Sequence, residues 1–150
     1  FFGDDWGTQS APIVSPELFR DLFKPRYARL MTPIRSAGRK VFFHSCGTLG
    51  PILDELLDLG IDGLWPQNDR FEAEPRQPQA CLEHGVTIYI HPDRQRLIPR
   101  GTPREIRDTV RQYAERYHRL GGGGIFYVEM ENDAPFENVR ALLEAIDEFR

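Results

Sequence analysis

Short apolar runs alternate along this chain with longer segments whose apolar residues recur at helical spacing. Phe1-Phe2 reads as the tail of a strand. Lys40-Val41-Phe42-Phe43 is partly β-branched and predicts a buried parallel strand over 40–44, with Gly47 breaking it. Ile61 to Trp65 is a second such strand, closed by Pro66. Val86-Thr87-Ile88-Tyr89-Ile90 is the most continuous and β-branched, and Ile125-Phe126-Tyr127-Val128 is the last.

Helices are predicted between them. Ser15-Pro16-Glu17 pairs an N-cap with proline at the first helical position, opening a helix to about Gly38 with interruptions near Pro25 and Pro33. Helical spacing returns over 49–59. The stretch 71–84 is proline-rich early and helical only from Pro78. Thr102-Pro103-Arg104-Glu105 is a capping box opening a helix to about Leu120, and Pro135 to Phe149 is the final helix.

The order is strand then helix, five times, with no hairpin signal. Strict alternation requires parallel pairing with right-handed crossovers, which an open doubly wound sheet and a closed barrel both satisfy. No glycine fingerprint opens a helix directly after a strand, as a dinucleotide fold would need. The glycine run 121–124 precedes a strand instead and predicts a flexible helix-to-strand turn. Polar and ionisable residues collect just after the strands: Asp4-Asp5, His44 to Cys46, Gln67-Asn68, His91 to Asp93, Glu129 to Glu131. The catalytic face of a barrel produces that distribution. The predicted class is therefore α/β of the (β/α)8 TIM-barrel type, with about five parallel β/α units in one domain, 1–150.

Charge narrows the partners. The net charge is −4 with 28% charged residues, so no basic field for nucleic acid is present. No apolar run reaches membrane-spanning length, and no basic-then-apolar leader is seen. The two cysteines, Cys46 and Cys81, lie on different predicted elements and define no disulfide framework. A soluble cytoplasmic protein acting on a small molecule is expected.

Chemistry concentrates at His44-Ser45-Cys46. Residues two apart on a strand share a face, and an imidazole beside a thiolate suits zinc. A packed histidine and an inert buried cysteine fit the spacing equally well. Asp5 is a candidate catalytic carboxylate, although aspartate before a turn often bonds its own backbone. Gln67 and Asn68 either orient substrate or merely finish a strand. His91 is a candidate acid or base at its strand end, against the simpler reading of a hydrogen-bonded histidine. Arg94, Arg96 and Arg100 follow a strand where barrels bind phosphate or carboxylate, and Arg94 is the candidate substrate contact; solvated surface accounts for the others. Cys81 reads as core.

Taken in order, GDDWGTQ, SPELFRDLFKPRYARL, GRKVFFHSCG, LLDLGIDGLWPQN, RGTPREIRDTVRQ and ENDAPFENVRALLEAI resemble the uroporphyrinogen decarboxylase superfamily. Within it the chain is more similar to the branch of corrinoid- and thiol-directed methyltransferases than to the decarboxylases. The resemblance implies an eight-stranded barrel of which this chain is roughly the second half, Phe1-Phe2 ending strand four. It implies zinc held by a His-x-Cys pair, matched by His44 and Cys46, and by a later cysteine after the final strand. Met130 stands at that later place, between Glu129 and Glu131. Thioether is a poor zinc ligand and carboxylate a good one, so Glu129 or Glu131 is expected to complete the site, together with Asp5. The implied activity is methyl transfer between a corrinoid or methylated donor and a thiol, with a corrinoid protein as partner. The alternatives are a metal-free tetrapyrrole decarboxylase, in which Asp5 stabilises a developing cation, and an inactive half barrel. A half barrel exposes two sheet edges and an apolar inner face, which predicts dimerisation, poor solubility or a molten core in isolation, with a homodimer as the candidate assembly.

Overall fold

In a computed structural model describing residues 1–150, every predicted strand forms. The strands are β1 (Phe2–Gly3), β2 (Phe42–Ser45), β3 (Gly63–Pro66), β4 (Thr87–Ile90) and β5 (Gly124–Phe126), in one sheet in sequential order. β1 to β4 pair in parallel, with Phe2 opposite Phe43, Phe43 opposite Leu64, and Leu64 opposite Ile88. Contacts divide the chain into two compact units, Phe1–Ile88 and Tyr89–Arg150.

In the first unit, β2 starts two residues later than the apolar run suggests. The Asp62 carboxylate takes the Val41 N–H at 2.8 Å, and the Val41 carbonyl accepts from Asp62 N–H at 2.8 Å. Val41 is therefore tied to the chain entering β3 before the ladder begins. Along β2, Phe43 and Ser45 are buried while Phe42 and His44 are half-buried, so His44 lies on the face opposite the core. Phe19, Phe43, Ile52, Leu56, Leu64 and Ile88 are fully buried in this unit.

The long helix after β1 opens as expected, with Ser15 Oγ accepting from Leu18 N–H at 3.2 Å. It runs as α1 (Pro16–Leu18), a π-helical stretch (Phe19–Phe23) and α2 (Lys24–Ser36). The expected interruption near Pro25 takes the form of that π stretch, with Pro25 following it in the first turn of α2 while the helix continues. The interruption expected at Pro33 is absent: the helix carries Pro33 in its last turn. There the missing N–H forfeits one bond at an end that frays anyway.

After β2 a 3₁₀ turn (Gly50–Ile52) leads into α3 (Leu53–Leu57). The stretch after β3 holds two helices, α4 (Asn68–Glu72) and α5 (Arg76–Glu83). α5 begins two residues before Pro78, which sits in its first turn at no cost in hydrogen bonds. α4 is a single turn with no periodicity to betray it.

The second unit contains α6 (Leu97–Arg100), α7 (Pro103–Arg119) and α8 (Phe136–Phe149). α7 starts at the expected capping box: Thr102 Oγ1 accepts from Glu105 N–H, and Glu105 Oε2 accepts from Thr102 N–H at 2.7 Å. Ile98, Ile106, Val110, Leu142 and Ala145 form its core, with Phe126 and Val128 packed against them. Asn138 on α8 donates to the Ile98 and Gly101 carbonyls, each at 2.8 Å, which ties α8 to α6. The turn before β5 passes through Gly121, Gly122 and Gly123, all at left-handed φ (90°, 101° and 85°), a run that only glycine adopts without strain.

Candidate metal centre

The loop after β1 lies across the residues that follow β2. Asp4 N–H donates to the His44 carbonyl at 3.2 Å, Gly7 N–H to Cys46 at 3.1 Å, and Thr48 N–H to Thr8 at 2.9 Å. Gly7 and Gly47 make this approach possible. A Cβ on Gly47 would lie 2.3 Å from the Gly7 backbone, and Gly47 also sits at φ 78°. The result is that Asp5, remote in sequence, reaches the strand end carrying His44 and Cys46. Asp5 Oδ1 accepts the Cys46 N–H at 2.9 Å.

His44 is fixed from behind. Its Nδ1 lies 2.9 Å from the Trp65 carbonyl oxygen. That oxygen only accepts, so the proton is on Nδ1 and the lone pair on Nε2 faces outward. The imidazole also packs on the Trp65 ring, centroids 4.3 Å apart. Nε2 is 3.5 Å from Cys46 Sγ and 3.4 Å from Asp5 Oδ1.

These separations can be tested against a zinc ion. With usual zinc–ligand bonds at a tetrahedral angle, nitrogen and oxygen ligands lie about 3.3 Å apart, and nitrogen and sulfur about 3.6 Å. The imidazole edges, at 3.4 and 3.5 Å, agree to about 0.1 Å. All three donor atoms lie within 4.8 Å of one another. An imidazole, a thiolate and a carboxylate are all zinc ligands, and three of them leave one tetrahedral position for substrate. The donor types and both imidazole edges fit the ion.

Surrounding groups hold the pieces in place. Gln67 Oε1 accepts the Gly47 N–H at 3.1 Å, while Asn68 is wholly buried at the start of α4. Tyr27 and Trp6 escaped sequence reasoning because they act through groups that periodicity does not mark, and Ser45 was singled out with no role given to its hydroxyl. The Tyr27 hydroxyl donates to Asp4 and accepts from Trp6 Nε1 at 2.9 Å, and Trp6 N–H donates to Ser45 Oγ at 2.9 Å. Burial, and then the bond to Asp4, push the Tyr27 hydroxyl well above the usual phenol range. The Trp65 carbonyl was equally illegible, since only strand register brings it to His44.

The second unit carries the other candidates. His91 is buried directly after β4, its ring edge-on to Tyr127 with centroids 6.4 Å apart. Arg94 forms an ion pair with Glu129. Glu131 and Met130 are exposed. Arg96 and Arg100 are exposed and line a hollow of about 430 Å³ with Asp93 and Glu105. Cys81, in the first unit, is fully buried on α5, as its core reading required.

Repeating parallel β/α units, with side chains able to ligate a metal gathered at a strand's carboxyl end, are those of the (β/α)8-barrel class. Residues 3–149 match the family of uroporphyrinogen decarboxylase (URO-D), and the chain belongs to that family. Among solved structures it is similar to a methyltransferase from Methanosarcina mazei, with a TM-score of 0.69 and 22% identity over 98% of this chain. The match covers 41% of that methyltransferase chain, and likeness at this identity speaks for the fold alone. No curated protein matches the sequence.

Proposed function

We propose that this chain belongs to a zinc-dependent enzyme that transfers a methyl group from a corrinoid or other methylated donor to a thiol. Asp5, His44 and Cys46 hold the zinc and leave its fourth position to the substrate thiol. The observation that carries the reading is the set of imidazole-to-thiol and imidazole-to-carboxylate distances, 3.5 and 3.4 Å, which fit the edges of a zinc tetrahedron. Family membership and the fold shared with a protein named a methyltransferase support it.

Zinc in this position acts as a Lewis acid that lowers the substrate thiol's pKa, so that the thiol reacts ionised at neutral pH. The chain's own groups prepare the site. Trp65 holds His44 in the tautomer that presents Nε2. The Cys46 N–H fixes one Asp5 oxygen, and Gln67 fixes the turn at Gly47. Gln67 and Arg94 are proposed to position substrate, and His91 to handle a proton. In the reaction the sulfur–methyl bond forms as the bond from methyl to its donor breaks, and the thiol proton passes to solvent. A methylated corrinoid would arrive on a partner protein, in the cytoplasm.

Metal analysis of the purified intact protein tests the reading. One zinc per chain is expected, with at least a tenfold loss of affinity (about 1.4 kcal/mol) in Cys46→Ser. Affinity should also fall as pH is lowered, because every ligand binds zinc deprotonated. An intact protein without stoichiometric metal, or a Cys46→Ser variant of undiminished affinity, rejects it.

A further inference from the structure

We propose that Tyr27 is a positioning residue for the metal ligand Asp5, acting through the residues on either side of it. This rests on the zinc reading above. Asp5 itself is exposed, on a loop, with one side-chain oxygen held by the Cys46 N–H. Its two neighbours in sequence converge on a single phenol. The Tyr27 hydroxyl donates to Asp4 Oδ2 and accepts from Trp6 Nε1 at 2.9 Å. One oxygen atom thus bridges the residue before Asp5 and the residue after it.

That oxygen does not drift. Tyr27 is 6% exposed and its ring packs edge-on against Phe43 of β2, centroids 5.3 Å apart. Trp6 is 7% exposed, packs edge-on against Phe19 at 5.0 Å and Phe23 at 4.5 Å, and donates its backbone N–H to Ser45 Oγ on the same strand. The phenol is therefore fixed to the strand that carries His44. Its two hydrogen bonds convert that rigidity into a fixed height and direction for Asp5. A ligand on a loop loses affinity when its supporting hydrogen bonds go, because metal binding must then order it.

Two backbone bonds hold the loop in the absence of the hydroxyl, Asp4 N–H to the His44 carbonyl at 3.2 Å and Gly7 N–H to the Cys46 carbonyl at 3.1 Å. Tyr27→Phe keeps the ring and its packing and removes only the bridge. A change in site geometry without loss of fold is the consequence.

The experiment is a double-mutant cycle on zinc(II) affinity in the intact protein, measured by competition with a chromophoric chelator. Tyr27→Phe should weaken zinc binding about tenfold or more. In the Asp5→Asn background the same change should have far less effect, because the group being positioned has gone. Asp4→Ala, at an exposed position, removes the acceptor without entering the core, and should reproduce the loss. Thermal melts of the metal-free proteins establish that each variant is folded. Folded Tyr27→Phe or Asp4→Ala of wild-type affinity overturns the inference alone. So does a Tyr27→Phe loss that is equally large with and without Asp5, since that marks a general structural effect. A wild-type protein that binds no zinc overturns the metal reading, and this inference with it.

Discussion

Cys46 and Cys81 share a side chain and differ in everything around it. Cys81 is fully buried on α5, and burial pushes its thiol up to about 12, so it stays protonated and inert at neutral pH. Cys46 is half-buried with its Sγ 3.5 Å from His44 Nε2. An aromatic disulfide reagent is expected to label one thiol in the native protein, Cys46, and two in urea, with zinc protecting the first. Equal native labelling of both would contradict this. Glu55 offers a separate residue-scale test. Lys24 Nζ at 2.6 Å and Arg20 Nε at 2.5 Å hold its carboxyl below the usual carboxylate range. A depressed folded-state pKa means stability that is present above the unfolded value and lost as pH falls through the folded one. Glu55→Gln should therefore cost about 1 kcal/mol at pH 7, an amount limited by the exposure of Arg20. That deficit should begin to shrink as the pH falls below about 4.5, the unfolded-state value, and close once the pH passes the lower folded-state value; a pH-independent difference in urea midpoints would refute it. At this scale the His44–Cys46 pair was legible because a strand has period two. Asp5 was legible only as one of several strand-end carboxylates. What selected it was the Gly7–Gly47 approach, a long-range contact that no local pattern encodes.

The elements differ in how openly their residues declare them. α7 carries a capping box, and its observed start agrees with the signature because Thr102 and Glu105 satisfy each other's backbone. Thr102→Ala should lower stability by about 1 kcal/mol in chemical denaturation, and an unchanged midpoint would show the cap to be idle. α4 and α6 span five and four residues, too few for a helical period to repeat, and both were missed. β2 shifted because Asp62 captures Val41, an interaction between segments that a scan along one segment does not contain. α8 was clear from its amphipathic spacing, which places Leu142 and Ala145 in the second unit's core. Leu142→Ala should cost about 2–4 kcal/mol through lost burial and the cavity left behind. A loss under about 1 kcal/mol would mean that the site collapses freely.

At the scale of the molecule, alternation of short apolar runs and helical segments was enough to require a parallel β/α arrangement, and the observed strand order β1-β2-β3-β4-β5 agrees. The family followed from the ordered motifs and is matched over residues 3–149. The reaction was not legible in the same way, because one barrel architecture hosts unrelated chemistries and the substrate is chosen by side chains at strand ends. The two candidate reactions make opposite demands on those side chains. Decarboxylation of a tetrapyrrole develops positive charge, which a zinc ion at Asp5, His44 and Cys46 would oppose, whereas methyl transfer to a thiol needs the anion that zinc favours. The most direct test is to measure product formation by the intact protein, given a methylated corrinoid with a thiol or given uroporphyrinogen, with and without a zinc chelator. Methylated thiol that disappears with chelator and returns with zinc is the expected result; carbon dioxide released from uroporphyrinogen at a rate the chelator leaves unchanged would contradict the account.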